Sequence, residues 1–164
     1  MLFAAGELSN RRAPGFSIVD VNMQQHDLAD YRGKYVVLDF MQTNCPHCQQ
    51  FSGILEKVAS QFKGRVQVLS VVVPPDNLDT VKKYIQGHNI TVPILFDSGQ
   101  VMASYLKLTP ATPTVFFPHA FLVDPTGKIV NDWAYTSDGK NKGIFEEGDL
   151  AKELDRLMAA APKK

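Results

Sequence analysis

The chain reads as a single α/β domain, and three observations predict it. Two apolar, β-branched runs, Tyr35 to Phe40 and Val66 to Val73, are each followed by residues at the spacing of an amphipathic helix. Further on, Ala120-Phe121-Leu122-Val123-Asp124 runs through Pro125-Thr126-Gly127-Lys128 into Ile129 to Trp133, a hairpin with a Pro-x-Gly turn. The 164 residues, 45% of them apolar, are enough to bury one real core.

The elements follow in order. Phe16 to about Leu28 is a weak strand-turn-strand, and Tyr31-Arg32-Gly33-Lys34 turns the chain into the buried strand at 35 to 40. Phe51, Ile54, Leu55, Val58 and Phe62 mark a helix over roughly 46 to 62. Pro74-Pro75 stops the second strand, and Leu78, Val81 and Ile85 mark a helix ending near Gly87. Strand, helix, strand, helix in that order implies a right-handed crossover and a parallel central pair. A short extended piece, Pro93 to Phe96, precedes a helix around Val101, Met102, Tyr105 and Leu106. A stretch holding Pro110, Pro113 and Pro118 feeds the hairpin, and Leu150, Leu154, Leu157 and Met158 form one stripe of a last helix covering the sheet. The domain spans 13–160. Residues 1–12 form a tail consistent with the trimmed end of a signal or anchor segment or with a cloning scar, and 161–164 fray. Neither an internal repeat nor a low-complexity stretch interrupts this order.

Lysine plus arginine and aspartate plus glutamate each total 17, so no net charge advertises a nucleic-acid or anionic-lipid partner. No run approaches the roughly 20 apolar residues of a membrane helix, which leaves a membrane anchor conceivable only upstream of Met1. A monomer is expected.

The chemistry concentrates in Cys45-Pro46-His47-Cys48, which holds both cysteines of the chain. Pro46 suits the first helical position, where a missing N–H costs nothing, and Cys45 then becomes the cap. A sulfur there faces orphan backbone N–H groups and the positive end of the helix, and both favour the thiolate. Cys45 is the expected nucleophile and Cys48, one turn further in, the resolving thiol. His47 between them can donate a hydrogen bond or place positive charge near Cys45, which makes the disulfide more oxidising. A structural staple is the competing reading. It is disfavoured because closing a ring of four residues constrains the unfolded chain by only about 2 kcal/mol.

Two other functions fit the residue chemistry less well. A copper or zinc carrier could use Cys45, His47 and Cys48 with His119, but no second ligand pair stands at matching spacing. A peroxidase would want threonine or serine three residues before its reactive cysteine, where this chain has Gln42. His26 and His88 are expected in solvated positions, and Trp133 and Tyr135 as packing residues.

Four passages carry a family resemblance over about Ala13 to Ala160. They are Ala13-Pro14-Gly15-Phe16, Leu28 to Lys34, Val37-Leu38-Asp39-Phe40 with the cysteine motif, and Pro118 through Val130. In that order they resemble the thioredoxin-fold thiol-disulfide oxidoreductases of the TlpA and ResA redoxin type. The resemblance implies a central mixed sheet flanked by helices with an N-terminal β-hairpin extension. It also implies exchange of electrons with protein dithiols and disulfides, an upstream donor or acceptor protein, and no cofactor beyond the Cys45–Cys48 disulfide. It further implies a cis Phe117–Pro118 bond, with Pro113 as the competing candidate, beside which an extended substrate could pair. Asp39 stands where thioredoxin carries an acid. It either relays a proton to and from Cys48 or merely bonds at a strand end, and both stay open. The setting implied is extracytoplasmic, periplasmic or secreted, with a cytoplasmic role as the alternative.

Departures from the family matter too. Asn44 replaces the usual tryptophan, Met41 an aromatic position, and Phe51 the buried glutamate of the cytochrome-maturation reductases. The pair Pro46-His47 is that of DsbA-type oxidases, so scaffold and motif point in opposite redox directions, and the scaffold tips the reading slightly toward a reducing or isomerising role.

Overall fold

Six strands form one mixed sheet in the order β1-β8-β7-β4-β5-β6, seen in a computed structural model that describes residues 6–162. The strands are β1 (Arg11–Arg12), β4 (Tyr35–Met41), β5 (Val66–Val72), β6 (Ile94–Phe96), β7 (His119–Val123) and β8 (Lys128–Ala134). A separate hairpin pairs β2 (Ser17–Val19) with β3 (Gln25–Asp27). The helices are α1 (Pro46–Gln61), α2 (Leu78–His88), α3 (Gln100–Leu106), α4 (Lys142–Glu146) and α5 (Asp149–Ala160). This is the thioredoxin fold, with the N-terminal hairpin as its extension.

β4 is buried from Val36 onward because both of its faces are covered. It runs parallel to β5, from Tyr35 opposite Val66 to Met41 opposite Val72, and antiparallel to β7. The strand period of two sends Val36, Leu38 and Phe40 to one face, where they pack with Phe16, Tyr105 and Phe121. Val37 goes to the other face with Phe51, Leu55, Val58 and Phe62 of α1 and its cap. Asp39 and Met41 share the parity of Val37. The only charged side chain of β4 therefore lies under α1.

The ends of the elements have local causes. Asn77 accepts from the backbone N–H of Asp79 and Thr80 while Thr80 Oγ1 accepts from Asn77 N–H, a capping box that starts α2. α2 runs past Gly87 to His88 and stops at Asn89, whose φ of 53° is left-handed, a conformation asparagine tolerates. Gly127, at φ 88°, closes the β7–β8 turn.

Two expectations need correction, and one helix adds to them. Arg11 and Arg12, assigned above to the tail, pair with Ile129 and Lys128 as β1, a strand too short to show a pattern in sequence. α4 was not anticipated, since its five residues give no stripe. His26 is buried rather than solvated: Nδ1 lies 2.7 Å from Tyr31 Oη and Nε2 3.1 Å from Asp20 Oδ2. Burial pushes the Asp20 carboxyl upward, but bonds from His26, Asn22 and Gln24 outweigh it and hold the carboxyl below its ordinary range.

Candidate active site

Both cysteines sit where β4 hands over to α1. Cys45 is the N-cap residue, extended at φ −89° and ψ 116°, and Pro46 opens the helix. The cap sulfur accepts from the Cys48 backbone N–H at 3.2 Å, the bond a serine or aspartate would normally receive there. Cys45 is partly exposed and Cys48 fully buried among Met41, Val72, Val81 and Tyr84. The two are joined as a disulfide with Cα atoms 5.2 Å apart. One sulfur faces outward and the other inward.

Phe117 and Pro118 close the opposite side. Their peptide bond is cis, as is Pro74–Pro75, and the Phe117 carbonyl oxygen lies 3.9 Å from Cys45 Sγ. In the disulfide that sulfur carries no proton, so this is a contact; the reduced thiol could donate across it. The neighbouring Phe116 is 50% exposed.

The loop before Cys45 is clasped from two directions. The Thr43 backbone N–H donates to Asp76 Oδ2 at 2.9 Å, and its hydroxyl donates to the same carboxylate. The Gln49 amide donates to the Thr43 carbonyl at 3.0 Å. Sequence reasoning missed Asp76 because nothing linear connects it to Thr43.

Asp39 is wholly buried, and neither carboxyl oxygen has a hydrogen-bond partner among the described residues. Burial pushes its pKa up to about 8. Ser70, opposite on β5, counters this only weakly because it is not in hydrogen-bonding geometry. Nearby, Ser52 Oγ donates to the Cys48 carbonyl at 2.9 Å and pairs with the Tyr84 hydroxyl. Phe51 fills its site on α1 edge-on to Phe145, with centroids 4.7 Å apart.

His47 is exposed and makes no hydrogen bond to either sulfur among the described residues; its ring instead stacks on Tyr135. His119 follows the cis-proline but is paired with Asp132, Nε2 to Oδ2 at 3.2 Å. Burial pushes Asp132 upward, yet bonds from His119 and Ser9 outweigh it and hold its carboxyl low. No cluster of three metal-ligating side chains occurs among the described residues.

A thioredoxin fold whose central strand leads to a helix cap bearing a partly exposed cysteine, joined to a buried one a turn further in, defines the redoxin class. The chain belongs to the AhpC/TSA family, whose sequence profile matches residues 10–131. It is 30% identical over 118 residues to the thiol-disulfide oxidoreductase ResA of Geobacillus kaustophilus, covering 71% of this chain and 64% of that protein. The chain thus spans somewhat less than two thirds of that relative. Among solved structures, a thiol:disulfide interchange protein of the thioredoxin family from Chlorobium tepidum superposes with a TM-score of 0.74 at 17% identity, covering 95% and 98% of the two chains. The exposed lipoprotein thioredoxin of Streptococcus pneumoniae superposes with a TM-score of 0.69 at 23% identity, covering 88% and 100%.

Proposed function

We propose that the protein is a thiol-disulfide oxidoreductase that exchanges electrons with protein dithiols and disulfides through Cys45 and Cys48. The observation that carries this reading is the unequal placement of the two sulfurs, one capping α1 at the surface and the other enclosed behind it. In the reducing direction the Cys45 thiolate attacks a partner disulfide. A Cys45–partner bond forms as the partner's S–S bond breaks and releases one partner thiolate. The Cys48 thiolate then attacks Cys45 Sγ, which restores the internal disulfide and frees the second partner thiolate. Two electrons pass to the partner, and the same steps in reverse oxidise a partner dithiol.

Helix capping favours the Cys45 thiolate, because its sulfur already takes a backbone N–H and faces the positive helix end. Asp39, on the sheet face beneath α1 and held protonated into the neutral range, is the group we assign to exchange a proton with Cys48. Phe117 and Pro118 supply the backbone edge along which an extended substrate segment would pair. An extracytoplasmic setting, with an electron donor or acceptor protein upstream, fits the exposed lipoprotein among the structural neighbours. No helix among the described residues is long and apolar enough to cross a membrane.

The test is disulfide reduction of a protein substrate by the wild-type chain and by Cys45→Ser. Turnover lost in Cys45→Ser supports the reading, and turnover retained refutes it. The peroxidase alternative gains nothing from the geometry: Gln42 stands three residues before Cys45, and its carbonyl accepts the Cys45 N–H at 3.2 Å.

A further inference from the structure

Tyr135 follows β8 and is fixed from three sides. Its backbone N–H donates to the carbonyl oxygen of Pro118 at 3.0 Å, which ties it to the cis-proline. Its hydroxyl donates to Glu146 Oε1 at 2.9 Å, and the other oxygen of Glu146 lies 3.6 Å from Lys142 Nζ. Its ring meets Phe145 edge-on at 5.7 Å. Against the ring so held, the His47 imidazole lies nearly flat, with centroids 4.0 Å apart and planes 24° from parallel.

An imidazole resting on this face is not hydrogen-bonded to a sulfur. For His47 to engage a Cys45 thiolate it must first leave the stack, so the stack is a cost set against the reduced form. We propose that Tyr135 is a positioning residue that holds His47 off the Cys45 sulfur and so mutes the oxidising push of the Cys45-Pro46-His47-Cys48 motif. This rests on the reading of Cys45 as the exchanging thiol. It resolves the opposition between a scaffold that resembles reductases and a motif that resembles oxidases: the histidine is present but restrained.

The experiment is the midpoint potential of the purified protein against glutathione, compared across variants. Tyr135→Ala frees the ring, and the potential rises by an amount equal to about a three- to tenfold change in equilibrium constant, roughly 14–30 mV for a two-electron couple. Tyr135→Phe keeps the stack and stays within about twofold of wild type, the change expected when only one part-buried hydrogen bond away from the sulfurs is lost. Tyr135→Ala combined with His47→Ala gives the potential of His47→Ala alone, because Tyr135 acts through His47. Tyr135→Leu keeps bulk against Phe145 without an aromatic face and stands in should the alanine variant not fold.

An unchanged potential in the alanine and leucine variants overturns the proposal. So does a rise that persists without His47, or an equal rise in Tyr135→Phe. A wild-type protein that never equilibrates with glutathione would instead sink the exchange reading itself, and this proposal with it.

Discussion

Asp39→Asn should gain stability relative to wild type as pH rises. In the folded protein the Asp39 carboxyl is wholly buried, and burial pushes its pKa up to about 8. In the unfolded chain it titrates near the ordinary value of about 3.9. Between those values the folded state keeps a proton that the unfolded state has released, so stability falls by about 1.4 kcal/mol for each pH unit. The accumulated penalty is about 1.5 kcal/mol at pH 5 and about 4 kcal/mol at pH 7, and it levels off above the folded pKa. An asparagine amide has the same shape but does not titrate. Any cost of burying it is constant with pH, and only the ionisation part changes. Urea unfolding of the oxidised wild-type and Asp39→Asn proteins at pH 5 and pH 7 reads the difference directly. The variant should gain about 2.5–3 kcal/mol relative to wild type between the two conditions. Parallel stability curves would refute the buried, protonated carboxyl, and with it the proton exchange assigned to Asp39.

Three further outcomes follow from the same geometry. Cys48→Ser should accumulate a mixed disulfide between Cys45 and a protein substrate, visible by mass under non-reducing conditions, because the resolving attack is gone. Phe51→Ala should lower the unfolding free energy by about 3–5 kcal/mol in urea, since a fully buried ring packed on Phe145 is removed. Asp76→Ala should cost about 1–3 kcal/mol and speed hydrogen exchange at the Thr43 amide, which loses its acceptor.

The strands and long helices that place the site were legible because their periodicity is a direct consequence of burial. β4 and β5 read as continuous apolar runs, since both faces of each are covered, and α1 showed its stripe from Phe51 to Phe62. The cap position of Cys45 followed from Pro46 alone. Contacts between residues far apart in sequence were not legible. Asp76 grips Thr43 only because the loops after β4 and β5 end side by side on parallel strands. Tyr135 packs against the core as expected, but its stack with His47 on another element has no signal in the sequence. His26 looked solvated because its partners, Asp20 and Tyr31, mark no motif.

The segment ahead of β4 has a consequence for association. On one side of the sheet, Arg11 and Arg12 lie along Lys128 and Ile129, Asn10 N–H reaches the Ile129 carbonyl, and Gly6 and Leu8 bond Asn131 and Asp132. On the other side, Asp20, just past β2, bridges to Leu95 of β6. One stretch of chain thus covers part of the outer border of both flanking strands, and borders left open are where foreign strands add and aggregates begin. Those flanks therefore offer a foreign strand less free backbone to extend.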